Sequence, residues 1–195
     1  MKQSDKILVT GAAGFIGSRL IKMLYENGYK NLRTTSFTRT LRDSYDGVEF
    51  IKGNLQDRTF CERVSKDVDV VFHCAANTSN ALDTKFNPLL HVTPNIEMNV
   101  NLMEQSWKNK VRKFIFISSN TTYPDMGDVP CTEDMEVQTP DIVPVYKAVG
   151  WMKRYCETLC DFFSNQIHEP MQCVIIRPSN AYGPNDKYDF EKCHV

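Results

Sequence analysis

Apolar residues come in short dense runs, separated by stretches in which they recur every three or four positions. The first run, Lys6 to Thr10, reads as a strand. Phe15, Ile16, Leu20, Met23 and Leu24 follow at helical spacing, and Gly28 stands where that helix should stop. Leu32 to Phe37 and Val48 to Ile51 predict a second and a third strand. A short helix should begin at Thr59, with Asp57 as its cap. Asp69 to Cys74, Lys113 to Ser118 and Gln172 to Arg177 predict strands four to six. The fourth and fifth are apolar without alternation, the pattern of a sheet covered on both faces. Pro94 introduces a helix to about Lys110. Val149, Met152, Cys156, Leu159 and Phe163 mark a long amphipathic helix. Strands and helices alternate throughout, which predicts an α/β fold of the Rossmann type: a doubly wound parallel sheet with right-handed crossovers. The long irregular segment is Tyr123 to Val143, with Pro124, Pro130 and Pro140.

A chain of 195 residues can bury one sizeable core and is too short for two ordinary domains. With 42% hydrophobic and 24% charged residues it is unlike a disordered or low-complexity sequence. The formal charge of −1 removes the bulk electrostatic case for nucleic acid or an anionic membrane. No apolar run approaches the roughly 18 residues of a membrane span. The N-terminus lacks a secretory pattern, so a cytoplasmic location is expected. Cysteines at 61, 74, 131, 156, 160, 173 and 193 are odd in number and without framework spacing, and read as reduced thiols. Cys156 and Cys160, with His168 beyond them, would need further ligands that the sequence does not supply, so no metal site is expected.

The turn after the first strand carries the chemistry. In Thr10-Gly11-Ala12-Ala13-Gly14-Phe15-Ile16-Gly17, Gly11 permits a tight turn, Gly14 lets backbone approach a pyrophosphate, and Gly17 lets helix pack close to strand. The helix that follows offers N–H groups and a positive dipole end to phosphates. At the end of the second strand, Ser36 and Arg39 are placed to hold a ribose 2′-phosphate, and no acid occurs before Asp43. That favours NADP over NAD, with NAD possible; the other reading of Arg39 is a solvated loop charge.

These residues resemble the extended short-chain dehydrogenase/reductase superfamily, which includes the NAD-dependent epimerase/dehydratase family. Four further motifs carry the likeness: Gly53-Asn54-Leu55-Gln56-Asp57, His73-Cys74-Ala75-Ala76, the helix containing Asn95 to Leu102, and Arg177-Pro178-Ser179-Asn180-Ala181-Tyr182-Gly183-Pro184. The tail, through His194-Val195, looks like the GDP-L-fucose synthase branch. The resemblance implies that residues 1–195 form the dinucleotide-binding domain of a longer enzyme, cut before its substrate domain. It implies cofactor contacts from Gly11, Gly14, Phe15, Ile16, Gly17, Ser36, Arg39, Asn54, Leu55, Ala75, Ala76, Asn95, Tyr146 and Pro178. It implies a nucleotide-sugar substrate met by Ser119, Asn180 and His194, and a homodimer built from the helices near 95–110 and 146–165, with Trp107, Trp151 and Met152 as apolar contacts or as core.

In that family a Tyr exchanges the hydroxyl proton while hydride moves to or from a sugar carbon, and a Lys four residues on lowers the phenol pKa and binds the nicotinamide ribose. Ser119 and Tyr146 stand at the Ser and Tyr positions. The Lys position is Gly150. Lys147 is adjacent to Tyr146 and does not share its face, and Lys153 lies two turns away. Weak or absent turnover follows, unless Lys153 or a water compensates. Thr121 stands where the fucose synthase branch has an acid/base Cys, which disfavours 3,5-epimerisation. Three functions remain open: an NAD(P)-dependent nucleotide-sugar epimerase, dehydratase or reductase, a cofactor-binding module without catalysis, and an interaction domain. His73 and His91 read as structural.

Overall fold

The computed structural model describes residues 1–78, 86–135, 137, 142–184 and 186. Six strands, β1 Ile7–Thr10, β2 Leu32–Ser36, β3 Glu49–Lys52, β4 Val70–His73, β5 Lys113–Ile117 and β6 Gln172–Ile176, form one parallel sheet in the order β3-β2-β1-β4-β5-β6. Among the described residues, four α-helices join them: α1 Phe15–Glu26, α2 Arg58–Ser65, α3 Thr93–Lys108 and α4 Lys147–Asp161. This is the doubly wound Rossmann arrangement, and its strand order reverses between β1 and β4.

The sheet sorts its side chains by parity. Leu8, Val71, Phe114 and Phe116 point to one face, where Phe60 and Val64 of α2, Leu102 and Met103 of α3, and Met152 and Cys156 of α4 cover them. Ile7, Val9, Val70 and Ile115 point to the other, against Ile21 and Leu24 of α1. Central strands therefore lack alternation because both of their faces are dry. β6 is one of the two edges, and its Ile175 and Ile176 are exposed.

Local chemistry sets the element ends. Asp57 accepts the Thr59 N–H at 2.8 Å and caps α2. α3 starts at Thr93, so Pro94 falls within its first turn, where its missing N–H leaves no bond unmade. α4 is followed by a π-helical turn, Phe162–Gln166, which buries Phe163 while leaving Phe162 half exposed. Arg33 is buried in β2; it donates to Glu49 at 2.7 Å and to the carbonyls of Val64 and Lys66, which ties β2 to the end of α2.

Truncating Leu102, which is fully buried between α3 and the sheet, is expected to cost about 2–5 kcal/mol in urea unfolding. Met23→Ala, on the exposed face of α1, should stay within about 0.5 kcal/mol of the parent.

Candidate functional site

β1 delivers the chain into the glycine turn at the C-terminal edge of the sheet. Gly11 has φ +64°, and a Cβ there would stand 2.6 Å from the Ala75 nitrogen and 2.7 Å from the Cys74 carbonyl carbon. The loop leaving β4 thus lies directly on the turn. A Cβ at Gly17 would stand 2.3 Å from the Gly11 oxygen, so α1 begins in contact with β1's end. Ala12 N–H donates to the Thr35 carbonyl at 2.9 Å, and Gly14 N–H to the Gly11 carbonyl at 2.9 Å. α1 has no side-chain cap and no acid in its first turn, so its N–H groups and positive dipole end remain for an anion. A turn without room for side chains, at the strand-order reversal, fits the pyrophosphate of a dinucleotide.

A buried relay holds that turn. The Thr10 hydroxyl accepts the Ala75 N–H at 3.2 Å, which directs its own proton to His73 Nδ1 at 2.7 Å. His73 Nε2–H then donates to the Asn99 Oδ1 at 2.7 Å, and Asn99 Nδ2 donates to the Cys156 Sγ at 3.3 Å. The relay links β1, β4, α3 and α4. Burial holds the imidazole neutral, with a pKa lowered to about 4, against the raising effect of the Asn99 bond.

Ser36 is half-buried at the end of β2, where its carbonyl accepts the Gly53 N–H at 3.1 Å, and Arg39 is exposed just beyond. Asn54 Oδ1 accepts the Gln56 N–H at 3.0 Å, and Leu55 is buried. These residues, with Ala75 and Ala76, lie beyond the C-terminal ends of β2, β3 and β4, where a reversal of strand order opens a crevice. Asn95 does not present a free side chain to it. Its Nδ2 donates to the carbonyls of Asn77 at 2.9 Å and His91 at 2.5 Å, and its Oδ1 accepts the Asn77 N–H at 2.9 Å. It positions the loop after β4 and is itself buried.

At the end of β5, the Ser119 oxygen caps a 3-10 turn, Asn120–Thr122, accepting the Thr121 N–H at 3.1 Å and lying 3.0 Å from the Thr121 hydroxyl. Tyr146 ends a 3-10 turn that leads into α4 and is 38% exposed. Gly150 is buried, and a Cβ on it would stand 2.5 Å from the Thr121 carbonyl oxygen and 2.8 Å from Ile142 Cδ1. α4 is therefore pressed against the turn that carries Ser119. Lys153 Nζ donates to the Ile117 carbonyl at 2.8 Å and lies 4.8 Å from the Phe116 ring centroid. Burial pulls its ammonium below the ordinary lysine value, with Cys156 and Glu157 opposing. Glu157 accepts from Ser118 at 2.5 Å and holds Arg177 in a fork at 3.0 and 2.8 Å. The Arg177 carbon lies 5.0 Å from the Tyr123 ring. This buried cluster fixes the Arg177-Pro178 turn, and the Pro178 carbonyl accepts the Asn120 N–H at 3.3 Å. Asn180 is exposed; His194 lies outside the described residues. Of the residues the resemblance implied for the dimer, Met152 is core, Trp107 packs on the core, and Trp151 is 38% exposed.

The role of Glu157 was missed in the sequence. Its signal was an acid four residues after Lys153, beside the apolar positions Met152, Cys156 and Cys160. Among the described residues, no group of three His, Cys, Asp or Glu side chains could hold a metal, and no helix is long and apolar enough to cross a membrane. A cavity of ≈ 460 Å³ beside β6, lined by Cys160, Ser164 and Cys173 among others, includes none of the residues assigned to the cleft.

A family model described as the NAD dependent epimerase/dehydratase family matches residues 7–195. The UDP-glucose 4-epimerase of Vibrio cholerae is 32% identical over 193 residues, covering 97% of this chain and 56% of that protein. The GDP-L-colitose synthase of Yersinia pseudotuberculosis is 24% identical over 190 residues, covering 97% of this chain and 57% of that protein. The crystal structure of UDP-glucose 4-epimerase with UDP-glucose from Thermotoga maritima superposes with a TM-score of 0.76 and 29% identity, covering 94% of this chain and 58% of that one. The chain thus spans a little over half the length of the curated relatives it matches.

Two outcomes follow from the geometry. Gly150→Ala should destabilise the protein by about 1–3 kcal/mol in urea, because the contact with the Thr121 backbone outweighs the roughly 1 kcal/mol that Ala gains in a helix; Gly150→Lys should be worse, and should not create a working cation. His73 is neutral when folded and titrates near 6.5 when unfolded, so stability is full above about pH 6.5 and falls as pH drops toward about 4. Urea midpoints measured from pH 7 to pH 4 should fall across that window, and His73→Gln should flatten the fall.

Proposed function

We propose, from the premise that this chain belongs to the NAD dependent epimerase/dehydratase family, that it binds NADP(H) along the C-terminal edge of its sheet and serves hydride transfer at a carbon of a nucleotide sugar. The observation that carries this reading is the glycine turn: Gly11 lies on the Ala75 backbone at a distance no side chain permits, with the uncapped start of α1 beside it. The bound nucleotide supplies the hydride acceptor or donor. The chain's residues hold it: Gly14 and the first turn of α1 meet the pyrophosphate, Ala75 and Ala76 leave room for the cofactor, and Asn54 and Leu55 meet the adenine end. Ser36 and Arg39 face the 2′-phosphate, which is the ground for NADP over NAD. Ser119 offers its hydroxyl to the substrate oxygen, Tyr146 is the phenol, and Asn180 and His194 meet the sugar nucleotide. The remaining substrate contacts belong to a second half of the size that the relatives possess. The cytoplasm and a homodimer joined through α3 and α4, with Trp151 at its surface, complete the reading.

A second reading is favoured by one specific observation. Gly150 has no space for a side chain, so no ammonium can stand four residues on from Tyr146. A cofactor-binding module that turns over slowly or not at all fits that contact.

The first reading is tested by fluorescence titration with NADPH and NADH. NADPH should bind more tightly. The Ser36→Ala, Arg39→Ala double variant should lose about 10- to 100-fold in NADPH affinity, the worth of a charge-assisted contact, while NADH binding stays within about twofold. Equal loss for both nucleotides, or no loss, contradicts the NADP assignment. NADPH binding without reduction of a 4-keto nucleotide sugar supports the module.

A further inference from the structure

We propose that Lys153 is the ammonium of this site and that Val149, one turn ahead of it, occupies the place of the hydroxyl it would tune, so that Tyr146 and Lys153 stand one helical turn out of register. This rests on the cleft being the cofactor site, and it goes beyond that reading in naming which residue carries the cation and which position has lost its partner.

Three observations converge. Residues 149, 153 and 157 share one stripe of α4. Glu157 is fixed by Ser118 and Arg177, and Lys153 by the carbonyl of Ile117, the last residue of β5 and two before Ser119. That stripe therefore faces the C-terminal ends of β5 and β6. Gly150 belongs to a different stripe. Its Cα is pressed to the Thr121 carbonyl and Ile142, so a side chain from that position would run into backbone. Tyr146 precedes α4, is 38% exposed, and stands seven residues, or about 10 Å of helix rise, before Lys153. The helix that places its ammonium against the Ile117 carbonyl has an isopropyl group one turn earlier, where a phenol would meet it, and Val149 packs on the core instead.

The charged and titratable groups around Lys153 are few. Cys156, Glu157 and Cys160 share its helix, and His73 faces it from β4. Glu157 is engaged by Arg177, burial holds the Cys156 thiol protonated, the hydrogen bond with Cys173 together with burial holds the Cys160 thiol protonated, and His73 is neutral above about pH 4. The ammonium is therefore the dominant charge that a phenol at position 149 would feel.

The test is to place a tyrosine there. In the full chain, Val149→Tyr adds one phenol, whose ionisation is read by ultraviolet absorbance against the parent. We expect it to titrate at least about one pH unit below the ordinary value of about 10, and to return to 10 or above in Val149→Tyr with Lys153→Met. An added phenol with the same pKa in both proteins overturns the proposal. This readout needs no cofactor, so it stands or falls separately from cofactor binding. If Val149→Tyr does not fold, Lys153→Met alone decides: NADPH affinity should fall about tenfold or more while Met23→Ala, on the exposed face of α1, leaves it within about twofold, and an unchanged affinity in Lys153→Met overturns the assignment.

Discussion

A neutral imidazole, bonded at both nitrogens inside the protein, is the constraint on which the cleft depends. His73 can be buried only because Thr10 and Asn99 satisfy it, and each of those partners belongs to a different element. Meeting that demand draws β1, β4 and α3 to fixed distances. Thr10 also takes the Ala75 N–H, so the loop after β4 comes to rest on Gly11. The geometry of the glycine turn is thus the visible end of a buried hydrogen-bond chain, and the turn needs glycine because the chain behind it leaves no space.

α4 obeys a second constraint of the same kind. Glu157 must be paired, since an isolated carboxylate in that interior would be costly, and the fork with Arg177 supplies the pair. The pairing fixes the rotation of α4 about its axis. Once rotation is fixed, Lys153 falls at the end of β5 and Gly150 falls against the Thr121 carbonyl. The absence of a lysine at 150 is then a packing necessity of this helix position, and the ammonium of the site enters one turn later.

The strands and the glycine turn were legible because they follow from local pattern. Runs such as Lys113 to Ser118 have only one way to be dry on both faces, and a G-x-x-G-x-x-G between strand and helix has few uses. Ser119 and Tyr146 were located by spacing, and spacing places a residue along the chain without fixing the phase of the helix it enters. That phase is set by Glu157 and Arg177, 20 residues apart, and no periodicity reports such a pair. Asn95, which the resemblance implied as a cofactor contact, shows a related limit. A buried amide and one free to meet a ligand look alike in sequence; the three bonds to Asn77 and His91 distinguish them.

The central claim is that the turn from Gly11 to Gly17 and the Ala75 loop together hold a nicotinamide dinucleotide. Hydrogen–deuterium exchange of the chain with and without saturating NADPH tests it most directly. The account predicts slower exchange at the amides of residues 11–17, 36–39, 54–55 and 75–77, with the remote cavity beside β6 unchanged. Unaltered exchange at residues 11–17, or protection centred on Cys160 and Cys173 instead, would contradict it.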